Sequence, residues 1–548
     1  MLFNSYFCHV LLQYCPVMWM QTLKSSKFHN WWKAEMPESL ITKSMKSILF
    51  LKNYIKEYGL FLIGFLVFSI VFVVVFSTST SFLYDYPETS DSFIFQVIGK
   101  FWNQGSIPYK DLFDNKGPFL YLMNALGYWF VDNKTGLLLV QIPFFFFTSI
   151  ITFHFLLLGF NKKQSFLLSL ALLLGLSLGY NGGNNACEYS LPFILYSFLL
   201  FYRWLDQNRV NEIRHPLGYS FFYGISIGFC LMTRPSNAIV VFLIVAYTTF
   251  VYLANKQIKE LFSSLALVAG GSIAVCLPFI LYFMTKGAME DFYYALIESN
   301  MHYLKNTGLF ESPMYLKRAV ALIFSYINCL LFFVIGLIQI CFNSRWKNGI
   351  LWFVMSMVCI MFFVNTNCYP NYAHICLPYA VIGLLEMKSL HNESSDKRYL
   401  RSFIVVVAFC LVGINFFNGV YTAIKGAVSD KSSRKALYSA YDKIINEIPK
   451  KEYDSFVSYE SLPEMLLRWN ICPRCRFFAL QGFSYNYNQD VYNKTNDEFV
   501  KTKAKWILVN YWKGLPNEIQ DMLNDKYQTK QQLNTEDAFL VLYSLVEH

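Results

Sequence analysis

The chain has 548 residues, of which 55% are hydrophobic, 19% aromatic and only 15% charged, with a formal net charge of +10. Many apolar runs approach the roughly 20 residues needed to cross a bilayer, which excludes a soluble protein built on one large core and indicates a polytopic membrane protein. The positive balance does not point to nucleic acid, because most of the excess Lys and Arg falls in short loops between apolar runs, where it sets orientation.

In chain order, residues 1–46 are aromatic, Met-rich and without clear periodicity, and they carry no cleavable signal pattern. Met36 or Met45 is an alternative start, since Met45-Lys-Ser-Ile opens a lysine-flanked lead into the first span. Apolar runs then predict spans near 60–76, 137–159, 165–180, 190–203, 217–232, 237–254, 261–284, 318–341, 349–364, 372–387 and 401–424. The 13-residue run Phe119–Val131 is short for a crossing, and is either a twelfth span or a helix lying at the interface.

Charge decides between these. With 119–131 interfacial, the loops holding Lys162/Lys163, Arg203/Arg209/Arg214, Lys256/Lys259, Arg345/Lys347 and Lys388/Lys397/Arg398 all lie on one side, which the excess of Lys and Arg marks as cytoplasmic. The N-terminus is then inside and the C-terminus outside. The loop 77–136, the turns at 181–190 and 233–237, the loops 285–317 and 365–372, and the tail share the outer face. This divides the chain into an N-terminal cytoplasmic segment (1–50), a transmembrane domain (51–424) and an extracytoplasmic domain (425–548). The tail alternates charged helical stretches with β-like runs at 455–459, 506–512 and 538–545, as a small α/β domain does.

Cysteines number 13, and most lie in apolar runs (Cys230, Cys276, Cys329, Cys359, Cys410), where they serve as small hydrophobes. In the tail, Cys472-Pro-Arg-Cys475 is a single CxxC. On an oxidising face a local disulfide suits it better than a metal, and two unpaired thiols suit it equally well.

The densest chemistry lies in Ser90–Tyr121, with three aspartates (Asp91, Asp111, Asp114) and three lysines (Lys100, Lys110, Lys116) in a charge-poor chain. Asp91 follows the first span closely enough to serve as a general base, or else it caps the helical run FIFQVIGKFW. In Asn115-Lys116-Gly117-Pro118, Pro118 suits a first helical position, placing Lys116 at the positive end of a helix where anions bind. A lysine snorkelling to lipid headgroups would look the same. Tyr109, Asp111 and Asp114 can hold this loop by pairing with Lys110 or Lys116. Glu188 begins a span on the outer face and suits sugar hydroxyls, or the helix macrodipole alone. Arg234, in Thr233-Arg-Pro-Ser-Asn237, is the sole base on its turn and suits a phosphate. Tyr372 and His374 mark the start of another span, where a structural His is the commoner case. Asp85, Glu88 and Asp91 have no accompanying ligand cluster, so a divalent metal is not indicated. No phosphate-cradling Gly loop, nucleophile elbow or HExxH is present.

These motifs resemble the bacterial glycosyltransferase family 39 proteins of the GT-C superfamily, whose members include protein O-mannosyltransferases and the lipid A aminoarabinose transferase. The resemblance covers roughly residues 50–390. It is strongest in 90–127, with "PYKDLFDNKGP", and extends to "LMTRPSNA" and "YPNYAHICLP". It implies a GT-C fold of about 11–12 transmembrane helices, no cofactor, and inverting transfer of a sugar from a polyprenyl-phosphate donor at the outer face of the cell membrane. The acceptor would be a glycan, lipid or protein. By motif match Asp91 takes the place of the catalytic aspartate and Lys116, with Arg234, that of the donor-phosphate ligands. Tyr109, Asp111, Asp114, Glu188, Tyr372 and His374 are carried over as substrate-binding. The motif here reads Lys-Gly-Pro rather than Lys-Pro-Pro. The alternatives are a flippase or transporter of lipid-linked sugars, and a ligase or polymerase of lipid-linked glycans. A transporter places ionisable residues inside its spans, whereas these spans are nearly free of charge.

Overall fold

A computed structural model describes residues 38–546 apart from 89, 181, 208–214, 307–333, 335–336, 338–345, 365–369, 389–394, 429–430, 480, 483, 485–487 and 512–513. The expectations for the start site at Met36 and for most of the span 318–341 therefore lie outside the described residues. The chain forms two compact units, Met1–Gly64 and Phe65–His548.

Long helices follow the apolar runs. They are α1 (Glu38–Phe76), α2 (Asp91–Asn103), α3 (Pro118–Phe130), α4 (Leu138–Leu156), α5 (Lys162–Leu174), α6 (Ala186–Gln207), α7 (Leu217–Leu231), α8 (Ile239–Ala254) and α9 (Ile258–Thr285). Further along lie Trp346–Val364, Leu377–Lys388 and Ser395–Val428. Among the described residues, four segments are both long and apolar enough to cross a membrane: Lys52–Phe76, Lys134–Leu156, Pro235–Ala254 and Ile258–Thr285. Leu217–Leu231, Gly349–Cys359 and His374–Glu386 are apolar but shorter. Helix α9 leaves Phe262, Ile273, Leu277 and Leu281 exposed, an apolar face that suits lipid better than water. The ambiguous run near 119–131 forms α3, 13 residues long. At 1.5 Å per residue that is only about 20 Å, short of a hydrocarbon core.

Helices α7 and α9 pack with almost no gap. A methyl group on Gly224 would come within 2.0 Å of the Val268 carbonyl oxygen, and one on Gly271 within 2.2 Å of that of Phe221. Small residues allow such backbone contact where lipid supplies no hydrophobic drive between helices. The contact continues at Gly228, where a methyl group would lie 3.0 Å from the Ser272 carbonyl oxygen, and the turn Met232–Asn237 projects just beyond.

The tail forms a four-stranded sheet of order β1-β2-β4-β3, with β1 Phe456–Tyr459, β2 Trp506–Asn510, β3 Tyr527–Asn534 and β4 Phe539–Leu545. β1 and β2 run parallel, β4 antiparallel to both neighbours, and a bulge falls between Thr529 and Gln531. β1 and β2 are buried throughout, as strands covered on both faces are. Cys472 and Cys475 are free thiols. Cys472 Sγ lies 3.4 Å from Ser106 Oγ, and Cys475 Sγ is directed at the Phe477 carbonyl.

Candidate functional site

Helix α2 begins at Asp91, with Ser90 as the N-cap residue but no capping hydrogen bond from its side chain. Asp91 is therefore the first helical residue rather than a cap. Its carboxylate is open to solvent, yet enough protein surrounds it that loss of hydration dominates its behaviour and raises its pKa. Lys116 and Arg234 pull the pKa down and Asp114 pushes it up, so all three lie within electrostatic reach.

The connection between α2 and α3 is pinned from several directions. The Tyr109 hydroxyl donates to the Lys116 carbonyl at 2.7 Å. The Tyr121 hydroxyl donates to Asp114 Oδ2 at 2.8 Å and accepts from the Lys116 N–H at 3.2 Å. Both tyrosines are fully buried, and Tyr109 packs on Tyr121, Phe283 and Phe292. Asp111 Oδ2 accepts from the Ile107 N–H at 2.7 Å, and Lys116 Nζ donates to Asn115 Oδ1 at 2.6 Å. The expected ion pairs of Asp111 or Asp114 with Lys110 or Lys116 do not form. The buried Tyr121 hydroxyl and the Ile107 N–H meet these acids instead. From the tail, the Arg476 carbonyl accepts from the Phe113 N–H at 2.9 Å, while Arg476 Nη1 meets Asp291 at 2.8 Å.

The junction that forms the site is at Gly117. Its N–H donates to the Thr233 carbonyl at 2.7 Å, and the Phe119 N–H donates to the Met232 carbonyl at 2.7 Å. A Cβ on residue 117 would lie 2.1 Å from the Met232 carbonyl carbon. The departure from Lys-Pro-Pro thus has a physical reason: proline here would lose the donor and collide with backbone. Pro118 then opens α3 at its first position. We expect Gly117→Ala to lower stability by about 1–3 kcal/mol, the cost of overpacking, read as an earlier unfolding midpoint in detergent. An unchanged midpoint would mean that the two segments are not in backbone contact.

This contact sets Lys116 beside the turn that carries Arg234. The Arg234 guanidinium carbon lies 3.4 Å from the centre of the Tyr372 ring, a cation–π contact that orients the arginine. Asp91, Asp114, Lys116, Arg234 and Tyr372 are thereby drawn from four separate segments into one neighbourhood. Ser90 Oγ, Ser236 Oγ and Asn371 Oδ1, each within two residues of one of these, are buried without a hydrogen-bond partner. Buried polar atoms are nearly always paired, so an unpartnered atom next in sequence to each of these segments is worth noting.

Glu188 and His374 form a second group. Glu188 is buried and accepts from the Tyr180 hydroxyl, from Gln141 Nε2 at 3.1 and 3.2 Å, and from the Asn184 N–H at 2.8 Å. His374 is buried against Tyr180, with Nε2 donating to the Leu176 carbonyl at 3.3 Å. Each is thus occupied by protein groups. Residues singled out by neither spacing nor charge, namely Tyr121, Asn115, Gln141, Tyr180 and Asn184, prove to be the ones that hold the charged groups. Only the positive-φ cluster at Gly182-Gly183-Asn184 left a trace in the sequence, as a glycine pair. Among the described residues no group of His, Cys, Asp and Glu is arranged to hold a metal.

The structure superimposes on ArnT from Cupriavidus metallidurans bound to undecaprenyl phosphate with a TM-score of 0.58 and 11% identity, over 88% of this chain and 98% of that one. The apo form of the same protein gives 0.57 and 10%, over 89% and 98%. The oligosaccharyltransferase AglB from Archaeoglobus fulgidus, in complex with an inhibitory peptide and a dolichol-phosphate, aligns with a TM-score of 0.46 and 11% identity, over 89% of this chain and 74% of that one. At such identities the likeness to ArnT establishes a shared fold. No curated protein sequence matches the chain. Residues 52–427 match the family described as "Putative competence-induced protein Ccs4 N-terminal domain", and the chain belongs to that family.

Proposed function

We propose that this protein is an inverting glycosyltransferase that uses a sugar on a polyprenyl phosphate as donor and works at the outer face of the cell membrane. The observation that carries the proposal is the backbone junction of Gly117 with Met232 and Thr233, which sets two cations, Lys116 and Arg234, within electrostatic reach of the solvent-open Asp91. The unpartnered atoms of Ser90, Ser236 and Asn371 suit a polar ligand, and the shared fold with ArnT, crystallised with undecaprenyl phosphate, agrees with a lipid phosphate.

In this mechanism Asp91 accepts the proton of the acceptor hydroxyl. The acceptor oxygen bonds to the anomeric carbon from the face opposite the phosphate, and the bond from that carbon to the phosphate oxygen breaks. The departing phosphate gains negative charge, which Lys116 and Arg234 neutralise. Tyr372 keeps Arg234 aimed, and Asp114 keeps the Lys116 segment in place through Tyr121.

The direct test presents the purified full chain with a panel of polyprenyl-phosphate sugars and follows sugar release or transfer. Turnover of at least one donor is expected. No turnover, together with movement of a lipid-linked sugar across a vesicle bilayer, would replace the transferase with a flippase.

The pH profile is a second expected outcome. A base works when ionised, and the Asp91 pKa is raised, so kcat/KM falls with acidification through a point above the ordinary value of an aspartate. Lys116→Ala removes a cation that lowers this pKa and moves the acid limb up. Asp114→Asn removes an anion that raises it and moves the limb down. A limb unmoved by both substitutions would assign the base to another residue.

A further inference from the structure

Helix α2 starts without a capping side chain, so its first turn must be held from outside. The hold comes from Ser92, the residue after Asp91. Ser92 is buried, and its Oγ receives Gln96 Nε2 at 3.0 Å and Asn184 Nδ2 at 2.9 Å and lies 2.8 Å from Ser79 Oγ. Asn184 is the hub. Its side chain is fully buried, with Nδ2 also donating to Asn124 Oδ1 at 2.8 Å and Oδ1 accepting from the Tyr189 hydroxyl at 2.8 Å. Its backbone N–H serves Glu188. One amide thus ties α2, α3 and α6 together.

Gly182 and Gly183 have φ of 84° and 73°, and Asn184 follows at φ 54°, a left-handed conformation that glycine would adopt most easily. Asparagine tolerates this conformation, and here its amide reaches Ser92.

We propose that Asn184 is a positioning residue for Asp91: through Ser92 its amide fixes the first turn of α2, and with it the direction of the Asp91 carboxylate. This rests on Asp91 acting as the base. Lys116 and Arg234 sit on other segments, so the donor phosphate would be bound as before.

The test uses full-length Asn184→Gly, which retains the left-handed backbone and the N–H to Glu188 while deleting only the amide. Ser92→Ala is the second variant, and the double variant closes a thermodynamic cycle. In each single variant kcat is expected to fall about 10–100-fold, as for a base displaced by a fraction of an ångström, with the donor KM changed less than about threefold. The double variant should be no slower than the slower single. Amide exchange at residues 92–96 should quicken in Asn184→Gly, with that of α9, to which the Asn184 side chain makes no hydrogen bond, unchanged. Unaltered kcat, parallel losses in kcat and affinity, or multiplying effects would overturn the proposal. A wild type inert toward every donor would instead sink the transferase, and the exchange at residues 92–96 would still decide whether Asn184 holds α2. If Asn184→Gly does not fold, Ser92→Ala with the same readouts decides.

Discussion

Asp91→Asn should reduce transfer by about 10²–10⁴-fold, the usual worth of a positioned general base, in a protein that folds as the wild type does. Asparagine has the size and hydrogen-bonding reach of aspartate but cannot take a proton at neutral pH. Asp91 is open to solvent and caps nothing, and the first turn of α2 is held through Ser92. Loss of the carboxylate therefore leaves the surrounding hydrogen bonds intact. Donor affinity should change little, since the cations remain. Steady-state rates beside a thermal unfolding profile measure this, and wild-type rates in a well-folded Asp91→Asn would remove Asp91 from the mechanism.

Lys116→Ala is the second large effect, with a loss of about 10²–10³-fold expected for one donor to a developing anion. What makes the experiment clean is that the backbone of residue 116 is held independently of its side chain, by Tyr109, by Tyr121 and by the Gly117–Thr233 bond. Truncation thus removes the ammonium and leaves the loop where it was. Product inhibition by free polyprenyl phosphate should weaken in parallel, because in the proposed mechanism Lys116 meets the charge of the leaving phosphate. If Lys116→Ala slows turnover but binds polyprenyl phosphate undiminished, the lysine would have to act elsewhere than on the leaving group.

The helical runs were legible because lipid imposes a crude rule of length and apolarity, and α3 remained ambiguous because its 13 residues sit below that length. Strands β1, β2 and β4 stood out as apolar β-rich runs. Strand β3, Tyr-Gln-Thr-Lys-Gln-Gln-Leu-Asn, did not, since it lies at the sheet edge with most of its side chains in solvent. For the site, charge in a charge-poor chain pointed to Asp91, Lys116 and Arg234. The helpers stayed hidden for a different reason. A buried Gln141 or Asn184 is defined by partners up to about a hundred positions away, as in the link from Asn184 to Ser92, and no local pattern records such pairings. Gly117 read as a departure from a motif, and became intelligible once the Met232 carbonyl was seen to fill the space of a side chain.

The junction of Gly117 with Met232 and Thr233 also governs when the site can exist. A ribosome delivers Asp91 and Lys116 long before the turn at Arg234, and Tyr372 later still. Until α7 and α8 are inserted, the segment bearing Lys116 has no carbonyls to rest on. A chain ending before Arg234 would therefore hold Lys116 only through Tyr109 and Tyr121, without the second cation, and the full charge cluster arises only once the turn at Arg234 has been made.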